Sequence, residues 1–223
     1  MRGSSADLSI HYSPAGALWV GQGRRSIVKK VIVLTDGDQQ AWRAARRAVS
    51  ELGLGLIDIT GGNPTSASVR EVEEAILASP QEVVVVMADD AGISGVGPGE
   101  RLIEALASSS VVEIVAAIAV ASWAHQDAAA VVDKSVTADG RLVATAVDKE
   151  GRPLPSRRLR GDTVGVLNDL GVPVVGVGDI GEEDHACDAS ELRQALLEAL
   201  RLAEPATAAK ILANAAAYPD WVD

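Results

Sequence analysis

From residue 31 onward, short aliphatic runs alternate with stretches in which apolar residues recur every three to four positions. That is the pattern of β-strands joined by amphipathic helices around a parallel sheet. The first run, Val31-Ile32-Val33-Leu34, ends at Thr35-Asp36-Gly37-Asp38. A helix follows whose inner face carries Ala41, Ala45, Ala48, Val49 and Leu52, with Arg43, Arg46 and Arg47 elsewhere, and Gly53 and Gly55 end it. Residues 54–59 predict a second strand, Gly61-Gly62-Asn63-Pro64-Thr65 a turn, and Val69, Val72 and Ile76 the buried stripe of a second helix stopped by Pro80. Residues 82–87 hold four consecutive valines, as expected of a strand covered on both faces, and end at Ala88-Asp89-Asp90. A glycine-rich loop then leads to a third helix with Leu102, Ile103 and Leu106 inward, followed by a fourth strand over residues 113–120.

Beyond Ser122 the pattern changes. Ser135-Val136-Thr137 and Leu142-Val143-Ala144 flank Asp139-Gly140, a pair favoured in tight hairpins, which predicts an antiparallel insertion. Residues 152–161 form a loop with prolines and arginines, after which Asp162 or Thr163 is placed to cap a helix carrying Val164, Leu167 and Leu170. Residues 173–177 predict the last core strand, closing at Gly178-Asp179-Ile180-Gly181. Leu192, Ala195, Leu196, Ala199 and Leu200 mark one face of a helix over residues 190–203, and Pro205 opens an alanine-rich terminal helix.

The expected fold is α/β: a three-layer, Rossmann-like (Toprim-like) and mostly parallel sheet with helices on both faces and a small β-hairpin insertion. Residues 1–29 read as a flexible leader, 30–203 as a single α/β domain and 204–223 as an alanine-rich tail or helix. No period of 20 to 50 residues repeats, so a solenoid is not expected.

Composition narrows the function. The 223 residues are 48% hydrophobic with no Phe, which fits aliphatic strands better than an aromatic-rich sandwich. Lys and Arg number 20 against 31 Asp and Glu, a net charge of −11, which argues against nucleic acid and anionic membrane surfaces as partners. The single cysteine, Cys187, reads as an ordinary thiol in a reducing compartment. The longest apolar run, Val111 to Ala121, contains Glu113 and falls well short of the roughly 20 residues of a membrane-spanning helix. Met1-Arg2-Gly3-Ser4-Ser5 lacks the features of a secretory signal, so a cytoplasmic location is expected.

Candidate chemistry gathers where strands end. In an open parallel sheet, ligands bind beyond the carboxyl ends of the strands. Asp36, Asp38, Asp89, Asp90 and Asp179 all fall there. Several carboxylates in one crevice repel unless some hold protons or a hard cation such as Mg²⁺ or Ca²⁺ neutralises them. The competing reading is that these aspartates only make turns and cap helices. Gly92, Ser94, Gly95, Gly97 and Gly99 lie between a strand and a helix, so their amides are placed to cradle a small anion, although the segment is neither a P-loop nor a dinucleotide fingerprint. His11, His125 and His185 stand beside no recognisable nucleophile elbow, leaving catalytic residues unknown and an enzyme the less expected outcome. Arg157, Arg158 and Arg160 form a small basic cluster.

Several runs occurring in order carry a family resemblance: Val31-Ile32-Val33-Leu34-Thr35-Asp36-Gly37-Asp38, Gly62-Asn63-Pro64-Thr65, Val86-Met87-Ala88-Asp89-Asp90 with the glycines after it, Ala119-Val120-Ala121-Ser122, Val147-Asp148-Lys149-Glu150-Gly151, Gly161-Asp162-Thr163 and Gly178-Asp179-Ile180-Gly181. Over residues 31–202 the chain resembles the soluble stage V sporulation protein AE family of spore-forming Firmicutes. The resemblance implies a forespore protein, encoded with membrane proteins that move dipicolinic acid with calcium into the spore and release it at germination. It also implies membrane proteins of that operon as partners, a small carboxylate as ligand and a place beside the inner spore membrane. Homo-oligomerisation is a further expectation. Two other classes stay open: a Mg²⁺-dependent phosphoryl-transfer or hydrolytic enzyme with a Toprim-like acidic site, and a ligand-free scaffold making contacts through Trp19 and Trp221.

Overall fold

The structure is a computed structural model that describes residues 28–93, 96–122, 128–180 and 187–217, with side chains up to residue 214. Its elements run β1 (Lys29–Leu34), α1 (Gln39–Leu52), β2 (Gly55–Leu56), a 3₁₀ turn (Asp58–Thr60), α2 (Val69–Ala78), β3 (Val83–Met87), α3 (Pro98–Ala107) and β4 (Val112–Val120). Then follow β5 (Ala129–Val131), β6 (Lys134–Val136), β7 (Leu142–Val143), β8 (Arg158–Arg160), a second 3₁₀ helix (Gly165–Asp169), β9 (Val174–Val177), α4 (Ala189–Ala203) and α5 (Pro205–Ala217).

Alternation along β1 explains the layering. Ile32 and Leu34 point into one core with the inner faces of α1 and α4, while Val31 and Val33 point into the other with α2 and α3. All four are fully buried, so the strand is covered on both sides. The predicted face of α1 is the buried one, and Gly53 ends that helix in the left-handed region at φ 66°. Ser68 with Glu71, and Asp188 with Glu191, form capping boxes that start α2 and α4.

Seven strands pair in the order β2-β3-β1-β4-β9-β6-β7. Every pairing is parallel except that of β6 with β7. Leu34 lies opposite Met87 and Ile118, and Val120 opposite Val177, so the carboxyl ends of β1, β3, β4 and β9 share one edge. From neighbouring β1 and β4 the chain leaves to opposite sides, towards β2 and towards β6. Such a divergence opens a crevice at that edge. The three-layer, Rossmann-like expectation holds.

Three expectations change. The predicted hairpin exists as β6 and β7, but β6 pairs with β9 in parallel and extends the main sheet. The helix expected after Asp162 is instead a five-residue 3₁₀ helix without a side-chain cap. Thr163 is left-handed there (φ 59°), a conformation that cannot start an α-helix, and Asp162 and Thr163 turn towards the loop after β3. Part of the predicted 152–161 loop is β8, which pairs with β5 in a separate two-stranded sheet and buries Leu159 between two exposed arginines. The leader falls almost entirely outside the described residues. Among the described residues no helix is long and apolar enough to cross a membrane.

Candidate functional site

The acidic residues at the sheet's carboxyl edge do different things. Asp38 is the N-cap of α1, its Oδ1 accepting from the amides of Gln40 (2.7 Å) and Ala41 (2.8 Å). Asp89, buried just past β3, ties the edge together: Oδ2 accepts from Gly37 N (3.1 Å) and Oδ1 from Ala91 N (2.7 Å). Asp90 is deeper still and its Oδ1 accepts from the amides of Gly99 (2.6 Å) and Glu100 (3.4 Å), near the start of α3. Its carboxylate therefore sits where a capping side chain belongs, on a helix whose own N-cap, Gly97, has none.

Asp36 stands apart. Its Oδ1 accepts one bond, from Asp38 N (3.2 Å). Burial, then the neighbouring charges of Asp38, Asp89 and Asp179, push its carboxyl well above the usual carboxylate range, outweighing that bond. Burial likewise raises Asp89, with Asp162 and Asp90 adding to it and the amide bonds from Ala91 and Gly37 opposing it. Glu100 is raised by burial and by Asp90. Asp179 reaches the edge from β9, its own amide bonded to Lys149 O (2.8 Å). The sheet thus brings Asp38, Asp89 and Asp179 within electrostatic reach of Asp36, while Asp90 is turned to α3.

The glycine-rich loop is internally committed at the positions described. Gly92 N donates to Asp162 Oδ2 (2.5 Å) and Gly99 N to Asp90, so neither amide faces outward unpaired. A Cβ on Gly97 would collide with the Asp90 carboxylate, and one on Gly99 would come within 2.6 Å of Asp89 N. These glycines are needed for close approach to β3. Ser94 and Gly95 lie outside the described residues, as do His11, His125 and His185. Among the described residues no group of three or more His, Cys, Asp or Glu is arranged to hold a metal ion.

Threonines are the site components that sequence reasoning misses. Thr35 Oγ1 accepts from Val120 N (3.0 Å), Thr60 Oγ1 from Met87 N (3.0 Å), Thr65 Oγ1 from Asp89 N (2.8 Å) and Thr163 Oγ1 from Asp90 N (3.1 Å). All four are buried, and each satisfies a backbone amide where a strand of the ladder runs out. Of the basic cluster, Arg157 braces the β5–β6 turn through Val132 O (2.6 Å) and Asp133 (3.0 Å). Cys187 is buried within the core cluster shared with α1 and α4.

Against known proteins, the sequence model of the stage V sporulation protein AE1 family matches residues 30–203. No curated protein and no solved structure matches the chain. The matched span runs from β1 to the end of α4 and includes the whole acidic edge. The chain therefore belongs to the stage V sporulation protein AE1 family, and its role is sporulation-related.

Proposed function

We propose that this protein is a non-catalytic sporulation accessory that takes up a divalent cation together with a small dicarboxylate at the carboxyl edge of its sheet. Calcium dipicolinate is the pair that the family resemblance suggests, and membrane proteins of the same operon are the partners it suggests. The observation that carries the reading is Asp36, a carboxyl whose ionised form is disfavoured by burial and by three neighbouring aspartates. A cation relieves that repulsion directly.

Asp38, Asp89 and Asp90 already accept backbone amides. Asp36 then supplies only a small part of the 6–8 oxygens that Ca²⁺ takes, and the bound anion supplies others. Cation and anion consequently bind as a pair. Calorimetric titration with Ca²⁺ alone, dipicolinate alone and both together tests this. The reading expects heat of binding in the combined titration and little in either single one; silence in all three would overturn it.

A further inference from the structure

Among the described residues only two other than glycine have a left-handed backbone, Ala91 (φ 54°) after β3 and Thr163 (φ 59°) just before the second 3₁₀ helix. Each is strained, and Thr163 the more so because it is β-branched. The two turns are bonded to each other. Thr163 Oγ1 accepts from Asp90 N (3.1 Å) and Asp162 Oδ2 from Gly92 N (2.5 Å), so the amides on both sides of Ala91 are held by one pair of adjacent residues. Such strain persists only where the surroundings enforce it, and it gathers at switches and ligand sites.

The two sides of this contact are not equally fixed. Residues 160–163 are anchored: Asp162 N donates to Ser122 Oγ (2.9 Å), Ser122 N donates to Arg160 O (3.3 Å), and a Cβ on Gly161 would collide with Val120 O. They form a strap pressed on the end of β4. Ala91, by contrast, is exposed, and Gly92 beside it is also left-handed (φ 69°). The Ala91–Gly92 turn is therefore the part free to move, and leaving the strap relieves the strain at Ala91.

What that turn holds is Asp89. Its Oδ1 accepts from Ala91 N (2.7 Å) and its Oδ2 from Gly37 N (3.1 Å), so both oxygens are engaged while the strap is closed. Asp89 is also one of the carboxylates whose charge acts on Asp36. We propose that Asp162 and Thr163 form a two-state latch, which when closed holds the Ala91 turn in its strained form and when open releases Asp89 Oδ1 to join Asp36 around a cation. The coupling to a cation rests on the reading of the acidic edge as a cation site. Ca²⁺ with a dicarboxylate then binds the open state better and shifts the population towards it.

Two substitutions that leave the charge unchanged push the latch in opposite directions. Thr163→Val removes the acceptor for Asp90 N and opens it; Ala91→Asn closes it, because asparagine tolerates the left-handed region better than alanine. Amide exchange in the ligand-free protein tests the latch by itself. Gly92 bonds to Asp162 rather than to Thr163, yet its protection should drop roughly tenfold or more in Thr163→Val and rise in Ala91→Asn. Protection of Gly92 unchanged in Thr163→Val, or lost only with global unfolding in all three proteins, overturns the latch. Calorimetric titration with Ca²⁺ and dipicolinate tests the coupling. Apparent affinity scales with the open fraction, so it should rise in Thr163→Val and fall in Ala91→Asn by the factors that exchange reads. Wild-type affinity in both variants overturns the coupling. Silence of the wild type sinks the reading of the edge as a ligand site and the coupling with it, while exchange still decides the latch.

Discussion

The carboxylate of Asp90 occupies the space that Gly97 leaves empty, and from there it caps α3 across a loop. A helix whose N-cap residue has no side chain borrows one from the preceding strand end. Asp90→Ala should therefore lower stability by about 1–3 kcal/mol, because it removes a cap and leaves buried amides unsatisfied. Gly97→Ala should act similarly by forcing the two apart. Urea unfolding of both variants measures the loss; an unchanged midpoint in both would contradict the assignment.

Thr65→Val tests the threonine plugs. Valine keeps the shape but removes the acceptor for the buried Asp89 N. The expected loss is about 1–3 kcal/mol, accompanied by faster amide exchange at Asp89. Exchange equal to that of wild type would show that the hydroxyl does not hold this amide.

Asp36→Asn should make the protein more stable at neutral pH. The native carboxyl titrates well above its ordinary value of 3.8, so between the two values the folded state holds more protons than the unfolded state and stability falls as pH rises. Asparagine retains an acceptor for Asp38 N and removes the charge. The advantage of the variant should shrink towards pH 4 and be greatest above the native titration. Unfolding curves at several pH values would refute this if the wild type gained on the variant with rising pH.

Cys187 should be unreactive in the native protein. It is buried, and burial, followed by the charges of Glu191, Asp188, Asp36 and Asp179, pushes its thiol well above the ordinary range. Iodoacetamide at pH 8 should label it at the rate of unfolding rather than at the rate of a free thiol. Prompt stoichiometric labelling of the folded chain would contradict its placement.

The main strands and the helix faces are legible in the sequence because each buried residue there repeats with a fixed period. Ala41, Ala45, Ala48, Val49 and Leu52 announce α1 in this way, and Val83 to Val86 announce a doubly covered strand. The placement of aspartates at strand ends is legible for the same reason. What each aspartate bonds is not, since the partners are far apart: Asp90 serves a helix that begins eight residues later, and Thr35 serves Val120. Gly97-Pro98, a helix start with no side-chain cap, is the local sign that a distant acceptor must exist. β8 escapes notice because one apolar residue, Leu159, between two arginines shows no period. The left-handed turn at Thr163 is equally hidden, as threonine rarely adopts it.

The most direct test of the acidic edge as a ligand site is a thermal-shift comparison of wild type and Asp36→Asn in Ca²⁺ with and without dipicolinate. At 100 times the dissociation constant a bound ligand stabilises the folded state by about 2.7 kcal/mol. The account predicts a clear upward shift for wild type with the pair, a much smaller one with Ca²⁺ alone, and none for Asp36→Asn under either condition. Equal shifts in the two proteins, or none in wild type, would contradict it.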